Sequence, residues 1–120
     1  MSAAPPLGTA EIGARLAALP GWAVVDGALQ RVWRTGGWKA TLLLAGAIAH
    51  FAEVAWHHPD LILSWDRVTV RLSTHSAGGI TALDFALAGK LQEVLSWRPA
   101  EETPPLPGTP DTPADSYLRD

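Results

Sequence analysis

At 120 residues, 48% apolar and with a formal net charge of −3, the chain can build one core. It has no basic excess, which argues against nucleic acid or an anionic membrane as its main partner. With no cysteine, disulfides and thiolate metal sites are excluded, while six tryptophans leave three uses open: the core, a subunit interface, or stacking on a flat ligand.

Residues 1–8 lack a charged stretch followed by an apolar one, so they read as a loose leader and not as a signal peptide. The apolar run at Leu42–Ala49 is too short to span a bilayer, so a cytoplasmic location is expected. Thr9 is placed to cap a helix beginning at Ala10, with Glu11 in its first turn. Ile12, Leu16 and Leu19 give that helix one apolar face, and Pro20-Gly21 stops it. Strands are predicted at Trp22–Val25 and Leu29–Arg34, joined by Asp26-Gly27, a strong hairpin signal. In the second strand Leu29, Arg31 and Trp33 share a face. Gly36-Gly37 breaks the strand, and a long helix is predicted from Trp38 to Trp56 with Leu44, Ile48, Phe51 and Ala55 as its stripe. Pro59 disfavours helical geometry at His58, so the helix should end near His57.

Leu61–Trp65 and Val68–Leu72 show clear period-two alternation around a tight turn at Asp66, a hairpin with one buried face. Ala77-Gly78-Gly79 is a turn, and Thr81 with Asp84 resembles a capping box, Asp replacing the usual Glu. The third helix should run through Leu87, Leu91 and Val94 to about Trp97, where Pro99 ends it. Residues 99–120 hold six prolines among Thr, Asp and Glu, and are expected to form a disordered acidic tail. The folded domain is therefore 9–98, in the order helix, two strands, helix, two strands, helix. That order implies an α+β domain with helices packed on one face of an antiparallel sheet.

Chemistry concentrates between Glu53 and Asp84, which hold three of the four histidines. Glu53 and His57 are four apart on a helix, so the carboxylate should orient the imidazole and fix its tautomer. Taken alone, such a pair is more often a solvated surface contact. His58 follows at once and points elsewhere, so the two rings can reach two sides of one ligand. His75 stands at the mouth of the second hairpin, before two glycines that allow a ligand near the backbone. His50 reads as solvated, and Asp84 as a helix cap first. A Glu53, His57, His75 metal set would leave His58 without a job, and no nucleophile elbow accompanies Ser73 or Ser76. The metal and nucleophile readings are therefore weak, and the stretch stands as a dense set of acid/base groups.

The pattern Glu53-x3-His57-His58-Pro59, then Trp65, His75 and Asp84, resembles the signature of the pterin-4a-carbinolamine dehydratases. Leu19-Pro20-Gly21-Trp22, Leu72-Ser73-Thr74-His75 and Gly78-Gly79-Ile80-Thr81 are similar to further family segments, so the likeness runs from about Thr9 to Trp97. The resemblance implies an α-β-β-α-β-β-α fold with a four-stranded antiparallel sheet. It also implies dehydration of a 4a-hydroxytetrahydropterin to the quinonoid dihydropterin, with no metal or cofactor. By the same resemblance, His57, His58 and His75 are the catalytic groups. Glu53 and Asp84 support them, with Glu53 orienting His57. Ser73 and Thr74, through their backbone, and Trp65 contact the pterin. A homodimer or homotetramer and an aromatic amino-acid hydroxylase as pathway partner are implied as well. Val54 and Trp56 depart from the family by making the rim more apolar. A second reading stays open: a non-catalytic binding or assembly protein on the same scaffold, such as a transcription-factor dimerisation cofactor or an assembly factor for a carbon-fixing enzyme. Fold alone does not separate the two.

Overall fold

The computed structural model describes residues 5–119. Helix α1 spans Thr9–Leu16, strand β1 Ala23–Val25, β2 Ala28–Arg34, helix α2 Trp38–Ala55, β3 Asp60–Ser64 and β4 Arg67–Leu72. A 3-10 turn at His75–Ala77 leads to α3, Ala82–Leu95, and a one-turn α4, Pro99–Glu102. The four strands form one antiparallel sheet in the order β1-β2-β4-β3, so the fold is the expected α+β arrangement.

Local chemistry accounts for most boundaries. Asp26 and Gly27 both have positive φ, as a two-residue turn matching the right-handed strand twist requires. The register pairs Leu29 with Leu72, Arg31 with Val70 and Trp33 with Val68. One sheet face therefore carries Leu29, Trp33, Val68, Val70 and Leu72, all at most 1% exposed. Against it pack Leu44, Ile48 and Ala52 of α2 and Phe85, Leu87, Ala88 and Leu91 of α3. Arg31 shares this face by laying its guanidinium 3.8 Å over the Trp33 ring and donating to Pro20 O. Thr81 caps α3 in a full capping box with Asp84.

Several details differ from expectation. Gly8, not Thr9, is the N-cap of α1, and no side chain caps it. The buried stripe of α2 is Thr41, Leu44, Ile48 and Ala52; Ala55 is exposed because it sits past the last turn that faces the sheet. The leader is partly docked, with Leu7 N–H donating to Ile80 O at 2.8 Å and its side chain against the core; residues 1–4 lie outside the described residues.

The C-terminal segment is also not structureless over 99–119. Gly36 N–H donates to Tyr117 O, Arg119 N–H donates to Arg34 O, and Leu118 bridges Thr35. The segment thus pairs with the β2 edge beyond the point where three-residue β1 stops. Tyr117 and Leu118 pack against the core, and burial pushes the Tyr117 phenol up. A Cβ at position 36 would collide with Ser116, so glycine there admits the segment. Two apolar side chains amid prolines carry no periodic signal, which is why composition alone suggested disorder.

Candidate active site

The site is built where the end of α2, the end of β4 and the start of α3 meet. Trp56, just past α2, is left-handed with φ 54°. Its N–H donates to Glu53 O and the His57 N–H donates back to Ala52 O, the double bond pattern of a Schellman helix stop. That reversal decides where the two histidines go. His57 turns inward and His58 turns outward over the last helical turn.

His57 Nε2 lies 2.6 Å from Oδ1 of Asp84, whose side chain is fully buried. The other carboxylate oxygen accepts the Thr74 hydroxyl and the Thr81 N–H, each at 2.8 Å. Thr74 and Thr81 hydroxyls are themselves 2.8 Å apart. A buried carboxylate is tolerated when its lone pairs are filled in this way. Because a carboxylate oxygen only accepts, the proton of the His57 bond sits on Nε2, leaving Nδ1 as the acceptor of a neutral ring. Asp84 is thus a helix cap and an imidazole anchor at once. It also ties His57 to Thr74, the residue before His75.

Glu53 does not orient His57 as expected. Its Oε1 lies 2.8 Å from His58 Nε2, with the Glu53 side chain 69% and the His58 side chain 51% exposed. The i,i+4 rule assumes that the helix continues, and the left-handed Trp56 ends it one residue before His57. His75 opens the 3-10 turn and is exposed, while Ser73 is half-buried. The Thr74 backbone is committed to its own loop: its N–H donates to Gly79 O and its carbonyl accepts from Ala77 and Gly78. The Thr74 side chain acts on Asp84.

Trp65 stands apart from these residues. Its carbonyl accepts the Thr41 hydroxyl and its ring lies over Gly37, at the N-terminal end of α2. His57 follows the opposite end of that 18-residue helix, roughly 25 Å away at 1.5 Å per residue. Within one chain the two cannot share a small ligand. His50 is exposed, with its ring edge-on to Phe51. Among the described residues, no three His, Asp or Glu cluster so as to hold a metal ion. A surface groove runs between α2, the end of α3 and the C-terminal segment, and none of the histidines lines it. Sequence reasoning paired Thr81 with Asp84 as a capping box but missed Thr74 as a second partner of that carboxylate. Pro59 placed the end of α2 to within a residue, but no glycine signalled that Trp56 would be left-handed.

Comparison with known proteins gives the family. The family model described as "Pterin 4 alpha carbinolamine dehydratase" matches residues 5–94. Two proteins named "Putative pterin-4-alpha-carbinolamine dehydratase" are similar. One, from Aquifex aeolicus, is 42% identical over 71% of this chain and 86% of its own length. The other, from Paracoccus denitrificans, is 43% identical over 73% of this chain and 84% of its own. A crystal structure described as "transcriptional coactivator/pterin dehydratase from Brucella Melitensis" superposes with a TM-score of 0.69 at 33% identity, covering 74% of this chain and 97% of that one. The docked segment beyond residue 98 lies outside the matched region. From Pro5 to Val94, then, this chain belongs to the pterin-4-alpha-carbinolamine dehydratase family.

Proposed function

We propose that the protein is a cytoplasmic hydro-lyase that dehydrates a 4a-hydroxytetrahydropterin to the quinonoid dihydropterin. In that step the C4a–O bond breaks, a proton joins the leaving hydroxyl to make water, and a ring N–H proton is lost as the C=N bond forms. No electrons are gained or lost overall, so one acid and one base suffice. His57, His58 and His75 carry the two proton transfers, since imidazoles exchange protons near neutral pH. Asp84 holds His57 in one tautomer, Glu53 steadies His58, and Ser73 contacts the ring. The substrate comes from an aromatic amino-acid hydroxylase reaction, and the protein works as a homodimer or homotetramer.

The observation that carries this reading is the fully buried Asp84, bonded to His57 on one oxygen and to Thr74, beside His75, on the other. A purely structural cap needs only the Thr81 end of that network.

The test is the dehydration rate of freshly generated carbinolamine with the protein, with a His57→Ala/His75→Ala double variant, and in buffer, where the compound also dehydrates spontaneously. Acceleration by the protein and a loss of about 10²-fold or more in the variant are expected. A folded protein no faster than buffer would sink the enzymatic reading and leave the binding or assembly role.

A further inference from the structure

Trp56 sits where helices usually place glycine, because a side chain in the left-handed region costs roughly 1–2 kcal/mol. Its indole is 75% exposed, more than that of the other five tryptophans, so it is not held there by the core. Both features are unfavourable for the folded chain by itself, and a strained residue beside a site points to a use in that site. The ring is also organised. It stands 5.1 Å from the His58 ring at 81°, making a right-angled corner of two aromatic surfaces. His58 is in turn held by Glu53, and His57 is the next residue along the chain.

We propose that Trp56 is a substrate-contacting specificity residue, the stacking wall against which a flat bicyclic heteroaromatic ligand lies. This deepens the pterin reading above and rests on it. A planar ring on the indole face turns its edge toward the imidazole, so ring polar groups meet His58 in their own plane. Stacking of this kind is tolerant of the ligand's side chain but requires a flat face, so it selects for the bicycle and contributes to binding more than to the chemical step. Two of the three uses open to the tryptophans are thereby assigned: Trp22 and Trp33 to the core, and Trp56 to the ligand.

The experiment uses the full chain with Trp56→Gly and Trp56→Phe. Calorimetric binding of a stable 7,8-dihydropterin is measured beside steady-state dehydration, thermal melting and sedimentation. Trp56→Gly relieves the left-handed strain, so its melting temperature is expected to hold or rise. Its pterin affinity should fall about tenfold, with KM rising in parallel and kcat nearly unchanged. Trp56→Phe, which keeps a flat face, should retain most of the affinity. Wild-type affinity in the glycine variant would overturn the proposal, and so would a change in sedimentation alone, which would make Trp56 an interface residue. A wild-type protein that binds no dihydropterin would instead overturn the pterin reading on which the proposal rests.

Discussion

Two carboxylate–histidine pairs stand one residue apart on the chain and differ in almost every physical respect. Asp84–His57 joins residues 27 apart in sequence and has a fully buried carboxylate with three accepted bonds. Glu53–His58 joins residues five apart, with both side chains more than half exposed. The first pair is stitched into the capping of α3 and the loop after β4, so its geometry is fixed by the fold. The second is exposed and screened by water, so its contact is the weaker one. The same chemical motif is therefore a buried anchor in one place and a solvated rim contact in the other.

Removing the buried partner should have the largest effect. Asp84→Ala leaves the Thr81 N–H and the Thr74 hydroxyl without their acceptor and frees His57. A loss of about 3 kcal/mol in denaturant unfolding is expected, with a rate loss on the order of 10² in the protein that remains folded. Asp84→Asn, which keeps the shape, should recover much of the stability and little of the rate. If Asn restored both, the pair would be a cap only.

A perturbation far from both pairs sharpens the contrast. Gly36→Ala should displace the C-terminal segment and cost about 1–2 kcal/mol, the scale of exposing one or two apolar side chains, while leaving dehydration unchanged. Limited proteolysis of residues 103–119 together with the rate would check it, and a slower enzyme would show coupling to the site. The docking should also weaken in alkali. Burial raises the Tyr117 phenol above its ordinary 10.0, so the folded state holds that proton more tightly. Its stabilisation is complete below 10.0 and is lost as pH climbs from there toward the raised value.

The smallest effect should come from the exposed pair. Glu53→Ala is expected to change unfolding free energy by less than about 0.5 kcal/mol and the rate by less than about tenfold. A loss matching that of Asp84→Asn would show that the two pairs, despite their different burial, act as one unit, which a double-variant cycle would measure.

The sequence by itself determined what short-range physics controls. Period-two and helical repeats located the four strands and the main helices, Asp26-Gly27 set the first hairpin, and Thr81 with Asp84 set the start of α3. It also supplied the histidines and carboxylates of the site as a set. Only the tertiary structure decided which of them meet. His57 took Asp84 and not Glu53 because Trp56 turns left-handed at the end of α2, a geometry no glycine signalled, and because α3 brings its first turn against that end. Trp65 fell away from the site because β3 carries it to the far end of α2, and Tyr117 and Leu118 docked because β1 leaves part of the β2 edge open. Pairings across 27 residues depend on the packing of whole elements, and no local pattern encodes them.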